Sequence, residues 1–339
     1  MTAAGLEVLE PGLLASVQDL GRPGLLRAGI TAGGALDPRA LHAGAALLGQ
    51  HPGLAALEMT LGGGRFRAVG GKVRVALTGA RCPATVDGRP VDWLCAFSLR
   101  AGEELAVGRP ADGVYAYLHL GGGIAVPKVL HARATHLRAG FGGLAGRAVR
   151  AGDRLPAGAA ARGDAEDTCL EGEAEPPLAT VRVLWGVHAE EFDAADRARF
   201  VETTFRVSSK RDRMGVRLDG ADPFRPSRGL TLISDAVVLG DVQVPGDGAP
   251  VVLLADRQPT GGYPRLATVI SADLAAFAQL PTGAMLRFHP VAPEAAVEAL
   301  RAQRDRLAGL PARVRRRAAR DPFLTVNLID GVHDGDSEG

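Results

Sequence analysis

The chain has 339 residues, of which 46% are hydrophobic and 23% charged, and a formal net charge of +1. That length calls for two cores rather than one, and the near-zero charge excludes a general pull toward nucleic acid or an anionic membrane. With 45 glycines and 22 prolines, the composition favours tight turns and short strands over long helices.

In chain order, Leu6 to Leu9 reads as a strand, and Gly12 to Leu20 as a turn running into Ser16-Val17-Gln18-Asp19. Asp37-Pro38 signals a helix start, with Asp as N-cap and Pro at N1, and Gly49 stops the helix. Strands are predicted at 56–60, 65–69, 73–78, 84–86, 95–99, 104–107 and 114–120, with Asp87-Gly88 as a two-residue hairpin turn. The glycine-rich stretch 133–150 is not a dinucleotide fingerprint, because no βαβ unit surrounds it. Residues 157–179 read as a linker between a first unit at 1–156 and a second at 180–292. In the second unit strands are predicted at 181–185, 204–208, 230–233, 236–239, 242–244, 251–255 and 285–288. Helices are predicted at 192–200 and from Ser271, and 210–215 is taken as a loop. A Gly-led turn into a strand recurs at Ala101-Gly102, Ala151-Gly152 and Thr282-Gly283, which suggests two similar barrels. Residues 293–339 form a C-terminal helix and tail, and the basic run Arg313 to Arg320 reads as a solvated helix face rather than a nucleic-acid patch.

Cys82, Cys95 and Cys169 are odd in number and lack CxxC spacing. They fit neither a disulfide framework nor a zinc site and suit a reducing cytoplasm. No run of 18 apolar residues and no basic leader before an apolar stretch is present, so a soluble cytoplasmic chain is expected. There is no P-loop, no Gly-x-Ser-x-Gly elbow and no HxxxH or HxH pair, so an intrinsic metal is not expected. None of the three lysines, Lys72, Lys128 and Lys210, has the flanking methionines of a biotin-bearing lysine.

Chemistry concentrates in polar loops. The apolar run 250–255 enters Asp256-Arg257-Gln258 and then Thr260-Gly261-Gly262-Tyr263-Pro264. Buried charge at a strand end needs partners, and paired glycines let backbone approach a ligand. Asp212-Arg213 and Arg217 form a second such loop; Gln18, Asp19 and Arg133 lie in the first half. Arginines among glycine turns suit bidentate capture of a carboxylate or phosphate. An internal Asp–Arg pair that merely fixes each loop is the competing reading.

These residues carry a resemblance. Ser16-Val-Gln-Asp-Leu-Gly-Arg22, Thr78-Gly-Ala80, Arg138 to Arg147, Asp212-Arg-Met-Gly-Val-Arg-Leu218, Val242-Gln-Val-Pro245 and Asp256 to Pro264 stand in order over residues 6–290. They resemble the hallmark segments of the biotin-dependent carboxyltransferase-like family. That family takes in allophanate hydrolase subunit 2, the carboxyltransferase segment of urea carboxylase and one of the 5-oxoprolinase subunits. Arg211 and Pro259 depart from the pattern beside the proposed site, where Ser and Thr are usual.

The resemblance implies a mainly β fold of two cyclophilin-like β-barrel subdomains with a few short helices and a C-terminal helix. Within the family the chain is most like the 5-oxoprolinase members. These are implied to work with a B subunit resembling allophanate hydrolase subunit 1 and with an amidohydrolase A subunit, with ATP entering through the complex. Asp212, Arg213, Asp256 and Arg257 are then the expected catalytic set, Asp212 or Asp256 orienting the arginines or accepting a proton. Arg217, Gln258, Thr260, Gly261, Gly262, Tyr263, Arg133, Gln18 and Asp19 are expected to bind a small-molecule substrate. This presumes that the 213 and 257 loops share one arginine-lined cavity. Two alternatives stay open: carboxyl transfer from carboxybiotin on a separate carrier, and a regulatory subunit that antagonises a kinase-inhibitor partner resembling the same B subunit.

Overall fold

The computed structural model describes residues 3–159, 166–172, 178–227 and 232–317. Apolar alternation in short runs produces strands throughout, and the fold is mainly β, as expected. In the first half, one sheet orders Arg154–Pro156, Gly5–Glu10, Gly64–Val69, Glu104–Val107, Ala84–Val86 and Arg89–Val91. The facing sheet orders Leu14–Gln18, Ala56–Thr60, Tyr115–Leu120, Val73–Gly79, Cys95–Leu99, Thr168–Leu170 and Val314–Arg316. Their inner faces bury Leu6, Val17, Met59, Phe66, Val75 and Leu118. In the second half, Thr180–Trp185, Arg265–Val269, Asp241–Gln243, Val251–Leu253, Gly215–Asp219, Phe205–Arg211 and Met285–Pro290 close into a barrel.

Local signals act as the sequence implies. Asp87 and Gly88 take φ of 47° and 78° between two paired strands, the mirror-image turn that matches strand twist. Helix α1 (Pro38–Leu48) is capped by Asp37, whose carboxylate accepts from the Arg39 amide, and ends on a left-handed Gly49. The three recurring turns place Gly102, Gly152 and Gly283 at φ of 93°, 84° and 88°, and each leads into a strand. Helices α2 (Ala194–Glu202), α3 (Ser271–Ala278) and α4 (Pro293–Ala308) complete the described helices.

Several expectations are corrected. Cys95 and Cys169 form a disulfide with their Cα atoms 4.0 Å apart, because they face each other directly in an antiparallel pair. Cysteine usage therefore no longer argues for a reducing compartment, and Cys82 is the free, buried thiol. The basic segment is a strand rather than a helix at Val314–Arg316, paired to Thr168–Leu170; residues 318–320 lie outside the described residues. Part of the presumed linker, Thr168–Leu170, is thus an interior strand of the first half's sheet, between Cys95–Leu99 and Val314–Arg316. The predicted loop 210–215 narrows to 212–214, between the strands Phe205–Arg211 and Gly215–Asp219; Arg265–Val269, given no element in the sequence reading, is also a strand, and the predicted strand 236–239 shortens to Asp235–Ala236. The predicted strand 230–233 lies partly outside the described residues.

The halves are packed, not tethered. Ala35, Leu36, Leu41, Tyr115 and Tyr117 of the first belong to the same core as Val216, Val252, Leu266 and Phe277 of the second. Gln279, at the end of α3, donates to the Asp37 carboxylate at 3.0 Å and to the Tyr115 carbonyl at 2.9 Å, and accepts from the amides of Val114 and Tyr115.

Candidate functional site

The strand Val251–Leu253 delivers Asp256 to the junction of the two halves. The Asp256 amide donates to the Arg213 carbonyl at 2.8 Å. Its carboxylate accepts from Arg213 Nε at 2.9 Å and Nη2 at 3.1 Å. Arg213 then crosses into the first half, where it donates to the Gly34 carbonyl at 2.7 Å and pairs with Glu58. Glu58 also accepts from the Leu36 amide at 2.8 Å and the Tyr117 hydroxyl at 2.7 Å, and that hydroxyl accepts from the Asp37 amide. Every side chain in this chain of contacts is buried. Burial pushes the Arg213 pKa down, but the Glu58 and Asp256 carboxylates outweigh it and hold the guanidinium above its ordinary value. Burial, seconded by the Glu58 charge, lifts the Tyr117 phenol well above its usual range.

Arg257 turns elsewhere, and the expected shared cavity is not what the contacts describe. Its Nε donates to the Val237 carbonyl at 3.3 Å, and it makes no ion pair among the described residues. Burial lowers its pKa, with the Asp241 carboxylate opposing. Arg213 and Arg257 share no hydrogen-bond partner, because consecutive residues 256 and 257 direct their side chains to different neighbours.

Around Arg257 the structure assembles several predicted residues. Gln258 Nε2 donates to Gln243 Oε1 at 3.2 Å, and Gln243 Nε2 is buried without a partner. Gly261 closes on these amides: a Cβ there would lie 2.8 Å from Gln243 Nε2 and 3.4 Å from Gln258 Nε2. Thr260–Gly261 pairs with Asp235–Ala236, a Gly262 Cβ would meet the Leu232 carbonyl at 2.7 Å, and Tyr263 is 42% exposed. Arg265, buried, donates to the Ala236 carbonyl at 2.6 Å and Asp235 at 2.9 Å.

The other predicted residues serve different neighbourhoods. Exposed Asp212 accepts from the Met214 and Gly215 amides at 2.7 and 3.2 Å, which shapes its turn. Arg217, in the middle of the strand Gly215–Asp219, pairs with Asp247 at 2.5 Å. Asp19 accepts from the Gly21 amide at 2.8 Å and the Arg133 amide at 2.5 Å, while Arg133 Nε donates to the Val126 carbonyl. Gln18 donates to Ser16 Oγ and the Thr135 carbonyl, and its Oε1 is buried without a partner.

Two further residues stand outside the expected catalytic and binding set. Glu58 is a lone charge inside the strand Ala56–Thr60, a pattern that itself demands a buried partner. Arg22, only 2% exposed, donates Nη2 to the Ala134 carbonyl and stacks on Phe141 at 4.8 Å, while its Nε and Nη1 have no partner. Its sequence signal is its place between Gly21 and Pro23, at the end of the polar segment Ser16 to Arg22. Burial lowers its pKa, against the charges of Asp19 and Asp256.

Comparison with known proteins shows the family. The family model of the carboxyltransferase domain, subdomain A and B, matches residues 28–290. The chain is similar to the 5-oxoprolinase C subunit of Escherichia coli, at 38% identity over 88% of this chain and 94% of that protein. It is 36% identical to the 5-oxoprolinase C subunit of Haemophilus influenzae over 86% of this chain and 93% of that one. The crystal structure of K. lactis urea amidolyase superposes with a TM-score of 0.82 at 25% identity, over 91% of this chain and 20% of that one. The chain belongs to the carboxyltransferase-domain family, subdomain A and B.

Proposed function

We propose that this chain is the C subunit of a heteromeric ATP-dependent 5-oxoprolinase. It works in the cytoplasm with a B subunit resembling allophanate hydrolase subunit 1 and an amidohydrolase A subunit, opening the lactam of 5-oxo-L-proline to L-glutamate. The observation that carries this reading is extent: the similarity to the E. coli C subunit runs over 88% of this chain and 94% of that protein. A lactam is resonance-stabilised like any amide, and ATP brought by the complex makes its carbon attackable by phosphorylating the carbonyl oxygen. Arg257, which has no ion pair among the described residues, is the cation for the substrate carboxylate or a phosphate. Gln258 and Tyr263 supply hydrogen bonds around it, and Arg213 positions Asp256.

The test is reconstitution of the purified chain with its B and A subunits, ATP and 5-oxoproline, with release of glutamate as the readout. Equal release without this chain would end the reading. A second reading, carboxyl transfer from carboxybiotin on a separate carrier, draws on the likeness to K. lactis urea amidolyase. It takes over if a carboxybiotin carrier loses its carboxyl group to urea only when this chain is present.

A further inference from the structure

A cavity of about 850 Å³ opens where α4 lies across the two halves, and neither Arg257 nor Gln243, Gln258 or Tyr263 lines it. Its volume falls within the roughly 300–1,000 Å³ of sites that enclose a small molecule. Helix α4 packs on α1 and α3, and Gln303 ties it to α3 by donating to the Ala272 carbonyl at 2.8 Å. The walls are Trp93 and Leu170 from the first half, Leu178 and Leu280 from the second, and Leu307 and Leu310 from α4 and the turn after it. Leu280 and Leu310 are buried, while the other four are half-buried, so apolar surface is left for an occupant to cover. The Trp93 indole N–H donates to the Gly79 carbonyl at 3.1 Å. That bond fixes the ring as a wall and uses its one donor.

Charge in this cavity is unbalanced in one direction. Asp37 is paired with Arg39 at 2.9 Å, and Glu171 with Arg315 at 3.2 Å. Asp112 accepts from the Arg81 amide at 2.9 Å. Arg81, Arg306 and Arg313 line the same space and have no ion pair among the described residues. Arg313 is nonetheless held in place. Its Nε donates to the Glu171 carbonyl at 2.8 Å, and its guanidinium lies where a Cβ on Gly172 would go. Three uncompensated cations thus meet one uncompensated carboxylate, that of Asp112. We infer that this cavity binds an amphiphilic anion: an extended apolar body against the leucines and Trp93, with a carboxylate or phosphate head on Arg313, Arg306 and Arg81. A recess walled by both halves and α4 takes a free molecule rather than a bilayer surface. 5-Oxoproline, small and polar, has no body to fill it, and none of the residues assigned to its reaction lies here. The site therefore goes beyond the 5-oxoprolinase reading and does not depend on it.

Fluorescence titration of the full chain with decanoate, alone and in the assembled complex, tests this. Trp93 and Trp185 are the two tryptophans, so Trp185→Phe leaves Trp93 as the reporter inside the cavity. Decanoate is expected to bind and shift that emission, less tightly as salt rises. Decanol should bind at least about ten-fold more weakly, and decyltrimethylammonium more weakly still. Arg313→Gln should lose about ten-fold in decanoate affinity, and Leu307→Asp at least as much. Should Arg313→Gln fail to fold, Arg306→Glu, at an exposed position on α4, decides by the same loss. No decanoate binding, equal binding of decanol, or unchanged affinity in the variants would overturn the inference. So would displacement of decanoate by 5-oxoproline, or binding to anionic phospholipid vesicles without binding of free decanoate. Binding that the free chain shows and the complex loses would give the cavity to a partner subunit. Binding that appears only after residues 318–339 are removed would give it to that segment, and either result overturns the proposal.

Discussion

Arg213 grips Asp256 through two nitrogens, at 2.9 and 3.1 Å, and reaches Glu58 on the opposite half of the molecule, 155 residues away in sequence. This is a buried ion triad at a domain junction. Its Coulomb attraction roughly offsets the cost of drying three charges, but removing one member leaves the others buried and unpaired. Arg213→Met is therefore expected to destabilise the chain by about 3–5 kcal/mol. Arg217→Ala, at a more exposed pair with Asp247, should cost under about 1 kcal/mol. Urea denaturation of the two variants checks the contrast, and equal losses would contradict it.

Stability should fall with acid through His119. Its ring is buried, and its Nε2 lies 2.8 Å from Thr78 Oγ1, whose proton goes to the Ala40 carbonyl. Burial lowers its pKa from 6.5 to about 3. The folded-state pKa is thus below the unfolded one, so the unfolded chain binds the extra proton between these values. The contribution is complete above pH 6.5 and is lost as pH falls toward 3, at about 1.4 kcal/mol per pH unit. His119→Gln keeps a donor for Thr78 and should flatten that slope in denaturation curves taken between pH 6.5 and 4.

Two glycine substitutions should separate packing from chemistry. A Cβ at Gly44 would sit 2.4 Å from the buried His119 ring, so Gly44→Ala should cost about 1–3 kcal/mol by overpacking. A Cβ at Gly261 meets only side-chain ends, Gln243 Nε2 at 2.8 Å the nearest, which can swing aside. Gly261→Ala should change the thermal midpoint little yet raise the KM for 5-oxoproline in the complex. Equal activity in that variant would take the Gln243–Gln258 pair out of the site.

The disulfide has a direct count. Denatured without reductant, the chain should show one titratable thiol, Cys82, and after reduction all three. Because the bond closes a 74-residue separation, Cys95→Ser is expected to cost about 2–4 kcal/mol under oxidising conditions. Three thiols without reductant would show the pair unbonded.

Much of the fold was legible because its signals are local. Asp37-Pro38 caps its helix, Asp87-Gly88 turns its hairpin, and apolar runs such as 73–78 become strands. Strands carrying charge were not: Gly215–Asp219 holds Arg217 and Asp219 at outward positions, and Arg265–Val269 begins on an arginine satisfied by Ala236 and Asp235. That Asp256 would need a buried partner was readable, because charge at the end of a buried strand requires one. Whether Asp256 served Arg213 or a ligand was not, since both answers use the same residues.

By itself, then, the sequence determined where the chain turns, which apolar runs are strands, and that arginines and glycines gather at a few strand ends. Those are properties of neighbouring residues, set by backbone geometry and alternation. Only the tertiary structure decided that Glu58 would neutralise Arg213, that Cys95 would meet Cys169, and that Arg22 would be buried with two nitrogens unpaired. Each depends on which strands of a closed barrel or packed sheet come to lie together, and no stretch of chain encodes that alone.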